Sequence, residues 1–370
     1  MNTLRPLADS GPATQRRISE VLGFSSDDEL PRCVRVERRW RRDGLSGEEL
    51  SWSVGYGPRT HAWLLRPLGE EQLPAIVALH CHGKFKFYGK EKVADGPDGV
   101  AQGARAVRDQ YYGGRAYVNE LARRGFVVLV HDVFMWGSRR FDESAMPEDI
   151  QSRMQQYDDI ADGKLREIGR YNVGAADHEN IVAKYCNVLG TSLAGVVCHE
   201  DRVAVAYLSS RSDVLSDRIG CLGFSGGGAR AAFLYATSLR VSAAVIVGMM
   251  SGYEELLGQH IAPHTWIFFP PGLAKVADWP DVAACRAPSP LLVQYGREDQ
   301  MFTVDGMNAA DARIGDHYSH YAEPRGYEGR FYDSGHCFSV PMQEEAFAWL
   351  ALQLGRAGVS GHSGTGQRRA

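Results

Sequence analysis

The sequence has no long apolar run. The longest, Val241 to Met250, falls well short of the roughly 20 residues needed to cross a bilayer, so no membrane span is expected. There is no CxxC pair. The seven cysteines (Cys33, Cys81, Cys186, Cys198, Cys221, Cys285 and Cys337) are scattered and odd in number, which speaks for reduced thiols rather than a disulfide framework. There is no excess of one charge: 41 basic residues against 45 acidic ones give a formal net charge of −4, with no basic footprint for nucleic acid or an anionic membrane. The first residues, MNTLRPLADSGPATQRR, hold no continuous apolar h-region of a secretory signal, so a cytoplasmic location is expected. No internal repeat is present. The closely set His80, Cys81 and His82 have no matching cluster elsewhere, so no metal site is expected.

What is present is an ordinary globular composition, 44% hydrophobic and 23% charged, over 370 residues. That length accommodates one large α/β domain with insertions or two domains. Residues 1–32 are polar and read as an N-terminal arm with one short helix around Gln15 to Leu22. Cys33 to Arg42, Leu50 to Tyr56 and His61 to Leu65 alternate with a period of two, as half-buried antiparallel strands do. Ala75 to His80 and Phe126 to His131 are instead continuous apolar runs, the pattern of strands buried on both faces. Between them lie a glycine-rich stretch, Gly96 to Gly114, and a helix from Arg115 to Arg124.

From here strand and helix alternate, which implies a parallel sheet. Further strands are expected at Ile219–Phe224, Ala243–Val247, Pro290–Tyr295 and around Phe331. Helices are expected at Thr191–Leu208, Ala229–Leu239, Asp311–Tyr321 and Met342–Leu354. Residues 141–189 are polar, with Met154, Tyr157, Ile160, Leu165 and Ile168 near helical spacing. They exceed what a crossover needs and read as an inserted helical cap within a domain spanning 33–355. Tyr253 to Ala284 is irregular and aromatic-rich, a second candidate for a pocket rim. Residues 356–370, rich in Gly, Ser and polar residues, are expected to be a disordered tail.

One stretch organises the rest: Gly223-Phe224-Ser225-Gly226-Gly227, a G-x-S-x-G pattern between an apolar strand and an alanine-rich helix. A serine on so sharp a turn stands exposed at a helix N-terminus, where backbone N–H groups can receive a developing oxyanion. The bland alternative is a strand-to-helix turn with Ser225 as its N-cap. A serine hydroxyl needs a base, and the base needs an orienting acid. Asp299 follows the strand PLLVQY in Gly296-Arg297-Glu298-Asp299, and His336 lies in Asp333-Ser334-Gly335-His336 after the strand at Phe331. Each of the three sits in its own strand-end loop, in the chain order Ser, Asp, His. Glu298 and Asp305 are rival acids. His317 and His320 lie in a charged helix, and His260 and His264 precede the acid. For the oxyanion, Gly226 and either Gly83 or Lys84, in the run His80-Cys81-His82-Gly83-Lys84, are the candidate donors. Trp136, Arg139 and Arg140 follow another strand end. An arginine there could hold a substrate carboxylate, or simply bridge to the cap.

Together GFSGGG, the HCHG loop, GRED and DSGH resemble the α/β-hydrolase superfamily. HCHGKFKFYGKEK and FVVLVHDVFMWGSRRF are similar to its dienelactone hydrolase and acetyl-xylan/cephalosporin esterase branch, over residues 60 to 355. The resemblance implies a mostly parallel, roughly eight-stranded sheet with helices on both faces and cofactor-free cleavage of a small-molecule ester or lactone, in a protein that could form homo-oligomers. Dienelactone hydrolases carry cysteine as nucleophile, whereas this chain has serine, which points to the esterase side. An acyltransferase, a cyclase or a peptidase could use the same three residues, and a binding scaffold would need none of them.

Overall fold

The apolar runs of the sequence become the middle of a single sheet. The computed structural model describes residues 11–23, 29–69, 71–156, 163–258, 260–321 and 326–355. Its strands are β1 (Arg32–Arg42), β2 (Leu45–Ser53), β3 (Thr60–Pro67), β4 (Leu73–Leu79), β5 (Val127–His131), β6 (Val214–Phe224), β7 (Ala243–Val247), β8 (Leu291–Gly296) and β9 (Tyr327–Tyr332). They form a nine-stranded sheet in the order β1-β2-β3-β5-β4-β6-β7-β8-β9, one strand more than the resemblance implied. The pairs from β1 through β3 to β5 are antiparallel, and all pairs from β5 across to β9 are parallel.

The helices are α1 (Pro12–Leu22), α2 (Ala104–Tyr111), α3 (Tyr117–Arg123), α4 (Glu148–Gln155), α5 (Gly163–Val188), α6 (Leu193–Ser209), α7 (Gly226–Thr237), α8 (Tyr253–Leu256), α9 (Trp279–Ala284), α10 (Val304–Ser319) and α11 (Val340–Gly355). Parallel strands joined by right-handed crossovers place their helices by the direction of travel along the sheet. The chain steps one way from β4 to β5, which puts α2 and α3 on one face. It steps the other way from β5 to β9, which puts α6, α7, α9 and α10 on the opposite face. The buried side chains divide accordingly: Ala75, Val77 and Leu79 of β4 join one core with α6 and α7, and Ile76 and Ala78 join the other with α3 and α11. The reversal leaves β4 and β6 adjacent, and the crevice beyond their carboxyl ends is where open α/β sheets bind ligands.

Three local expectations change. The glycine-rich stretch 96–114 contains α2, whose Val107 and Arg108 are buried. The irregular segment 253–284 contains α8 and α9, the latter started by a capping box between Asp278 and Asp281. The short helix expected in 1–32 is α1, which buries Ile18 and Leu22, while the first strand begins one residue earlier than expected, at Arg32. Residues 1–10 and 24–28, Tyr157, Ile160 and the 356–370 tail lie outside the described residues. Within 141–189, α4 and the start of α5 pack a small core of their own, in which Met146, Ile150, Met154 and Ile168 meet Phe87. No single described helix is long and apolar enough to cross a membrane.

Beneath the crevice, Arg230 of α7 donates from Nη2 and Nε to Asp201 of α6, at 2.6 and 3.1 Å, and from Nη1 to the His80 carbonyl at 3.1 Å. Both side chains are buried; without the guanidinium, the Asp201 carboxylate keeps only the His131 Nε2 contact at 3.0 Å. Arg230→Met is expected to lower stability by about 3–5 kcal/mol. A urea midpoint unchanged from wild type would contradict this account.

Candidate active site

At the end of β6 the chain turns into α7 through Ser225, which has φ 57° and ψ −122°, a conformation that is strained for a residue with a side chain. The turn requires bare backbone on either side. A Cβ on Gly223 would collide with the Gly227 carbonyl, and one on Gly227 with the Leu79 carbonyl of β4. Ser225 makes no side-chain cap to α7, which removes the N-cap alternative. Its Oγ lies 2.9 Å from His336 Nε2, and His336 Nδ1 lies 2.6 Å from Asp299 Oδ2. Asp299 is buried, and its other oxygen accepts the Met301 N–H at 2.9 Å. These partners assign the proton to His336 Nδ1, leaving Nε2 to accept the serine hydroxyl proton. Phe224 packs on the His336 ring at 4.7 Å between centroids.

The rival residues lie elsewhere or play other parts. His317 pairs with Asp281, and His320 contacts the Asp316 carbonyl on the surface. Asp305 lies in the first turn of α10. His264 does reach the cavity, as part of its wall.

That cavity, of about 350 Å³, is lined on one side by Cys81, His82, Gly83 and Lys84 and on the other by Pro263, His264, Thr265 and Phe268, with Ser225, Gly226 and His336 at its floor. Gly226 is pressed against His82, whose backbone nitrogen would lie 2.9 Å from a Cβ at 226. The two candidate donors on the β4 loop differ. The Lys84 N–H already donates to His82 Nδ1 at 3.0 Å, whereas the Gly226 and Gly83 N–H groups have no acceptor among the described residues. Gly83 and Lys84 both have positive φ, 61° and 50°.

The loop is pinned from two directions. Lys92, fully buried, donates from Nζ to the carbonyls of Cys81, Phe85 and His82 at 2.5, 3.1 and 3.3 Å, and burial lowers its pKa to about 8. From the other side comes Glu179 of α5, 2.8 Å from His82 Nε2 and 2.5 Å from Lys86 Nζ. Burial alone would raise the Glu179 carboxyl, but Lys86 and His82 outweigh it and hold it well below the usual carboxylate range. Burial lowers the pKa of His82, so its imidazole is neutral. Among the described residues no group of three or more His, Cys, Asp or Glu side chains could hold a metal.

Trp136, Arg139 and Arg140 do not line this cavity, which corrects the expectation of an arginine for a substrate carboxylate. Arg139 is buried, its guanidinium 2.5 Å from Glu200 and also bonded to the Tyr56 and Pro58 carbonyls. Arg140 lies over the rings of Phe87 and Tyr171, the latter on α5. Trp136 is buried, with its indole N–H directed at the His82 carbonyl, 3.4 Å away. Sequence reasoning missed the parts played by Lys92, although it ends the stretch HCHGKFKFYGKEK, by Glu179, which lies in no motif, and by His264, which it set aside by chain order.

His264 is held neutral: burial lowers its pKa to about 4, and its Nε2 lies 3.2 Å from the Met301 carbonyl. Between the ordinary value of 6.5 and about 4, the unfolded chain binds a proton at this residue that the folded chain refuses, so stability falls as pH is lowered through that window. His264→Gln is expected to flatten the decline of Tm between those pH values. Equal slopes for variant and wild type would contradict the assignment.

No known protein family profile matches the chain. YtaP of Bacillus subtilis strain 168, provisionally described as a hydrolase, is 23% identical over 342 residues, covering 92% of this chain and 98% of that one. A Bacteroides fragilis protein provisionally described as an acetyl xylan esterase superposes with a TM-score of 0.66 at 16% identity, over 86% of this chain and 73% of that one. A glucuronoyl esterase from Solibacter usitatus gives 0.61 at 14% identity, over 92% and 91%. Acetyl xylan esterase 1 from Thermoanaerobacterium sp. JW/SL YS485 gives 0.57 at 17% identity, over 95% and 99%. The sheet order, the strained serine at the end of β6 and these likenesses agree on one architecture: the chain has the α/β-hydrolase fold.

Proposed function

We propose that this protein is a serine hydrolase that cleaves a carboxylic ester or lactone through an acyl-enzyme intermediate, without a cofactor. The observation that carries the reading is the unbroken relay from Ser225 Oγ to His336 to Asp299, at 2.9 and 2.6 Å, opening into a cavity. His336 Nε2 takes the hydroxyl proton as Ser225 attacks the carbonyl carbon. Asp299 stabilises the imidazolium through Nδ1–H. The negative charge moves to the carbonyl oxygen, facing the Gly226 N–H and the Gly83–Lys84 wall. As the tetrahedral adduct collapses, His336 returns the proton to the leaving alcohol. It then takes a proton from the attacking water and passes it to Ser225 Oγ as the second adduct collapses, which frees the acid and restores the serine.

A cavity of about 350 Å³ suits a short acyl group, in keeping with a neighbour whose name specifies an acetyl ester. Ser225→Ala is expected to lower kcat on p-nitrophenyl acetate by about 10³-fold or more with the fold intact. A fluorophosphonate should label the wild-type peptide that contains residue 225 and leave the variant unlabelled. Turnover that survives the substitution would remove Ser225 from the mechanism, and added alcohol acceptors would reveal transfer in place of hydrolysis.

A further inference from the structure

Among the side chains by which α5 meets the walls of the catalytic crevice, Glu179 bonds to both walls at once. Glu179 lies near the middle of α5 and is buried. Its carboxylate is saturated by donors from both walls of the cavity. Oε2 faces His82 Nε2 at 2.8 Å and Lys86 Nζ at 2.5 Å, both on the β4 loop. Oε1 accepts the Thr265 hydroxyl at 2.6 Å and the Trp266 N–H at 3.0 Å, both on the opposite rim.

The bond to His82 has a directional consequence. A carboxylate only accepts, so a neutral His82 must carry its proton on Nε2, and Nδ1 is left as a lone pair. That lone pair accepts the Lys84 N–H at 3.0 Å. The bond closes the Gly83–Lys84 turn, with Lys84 held at φ 50°, a value that needs support in a residue with a side chain. The opposite tautomer would aim an N–H at the Lys84 N–H, and the turn would open.

We propose that Glu179 is a positioning residue for acyl transfer: by fixing the tautomer of His82 it holds the Gly83–Lys84 wall in the shape that faces Ser225, and so couples the inserted helix to catalysis. The inference rests on the serine-hydrolase reading and adds to it a role for the 141–189 segment beyond covering the site. Glu179 touches no reacting atom and acts through His82.

The test is Glu179→Gln, alone and in a His82→Asn background. In the single variant the carboxamide can turn its NH₂ toward residue 82, which favours the Nδ1–H tautomer. The expected result is a fall in kcat on p-nitrophenyl acetate of about 10- to 100-fold, the range typical when an outer orienting partner is lost. KM should stay within about threefold, and ¹⁵N-edited spectra should show the His82 proton moving from Nε2 to Nδ1. An asparagine at 82 bonds the N–H two residues on without any tautomer, so Glu179→Gln should cost less than about threefold in that background. Where the orphaned Lys86 prevents folding, Glu179→Gln with Lys86→Met takes the place of the single variant. A wild-type tautomer with unchanged kcat overturns the proposal, as does an equal loss in both backgrounds, the mark of a merely structural role. Fluorophosphonate labelling of the wild type separates the two levels. If Ser225 does not label, the hydrolase reading fails. If it labels equally fast in Glu179→Gln, only this inference fails.

Discussion

A buried ammonium anchors the site. Lys92 Nζ has given up water and is solvated by three carbonyl oxygens of the loop that follows β4. Placing a charge in a dry interior is costly unless such partners are already in position, so the loop and the lysine each require the other. Because the loop is held, Gly226 can press against His82, the elbow can pass under the Leu79 carbonyl, and Ser225 can keep a backbone conformation that an unsupported turn would relax.

The same logic extends around the crevice. Lys90 meets Asp132 at 2.8 Å, Arg139 meets Glu200 at 2.5 Å, Arg230 meets Asp201 at 2.6 Å and Lys86 meets Glu179 at 2.5 Å, all buried. Each joins separate elements: the β4 loop to the end of β5, the loop after β5 to α6, α7 to α6, and the β4 loop to α5. Such pairs add little net stability over apolar packing, but a misplaced partner is heavily penalised, so they favour one arrangement of the loops over its neighbours. Apolar packing on the two sheet faces supplies the bulk of the folding drive, and the ionic ring at the carboxyl ends defines geometry where geometry matters for chemistry.

Much of this was legible in the residues. Continuous apolar runs marked β4 through β8 because a strand covered by helices on both faces has no solvent side to carry polar alternation. The elbow was legible because steric crowding admits only glycine at 223 and 227. His336 and Asp299 were legible because each follows its strand directly. Helix α2 inside a glycine-rich stretch and the short α9 were not, since these depend on packing partners that local pattern does not reveal. Arg139 looked available as a strand-end arginine, yet the Glu200 that buries it lies far along the chain on α6.

The amino-acid sequence by itself determined the strand–helix alternation, the strained turn at Ser225 and the chain order of serine, acid and base, because each follows from local sterics and from hydrophobic period. Tertiary structure alone decided which buried charges pair, that Lys92 and Glu179 hold the β4 loop from two sides, and which arginines stay out of the cavity. Those outcomes depend on distances between residues remote in sequence, which exist only once the crossovers have brought the carboxyl ends of β4 and β6 side by side.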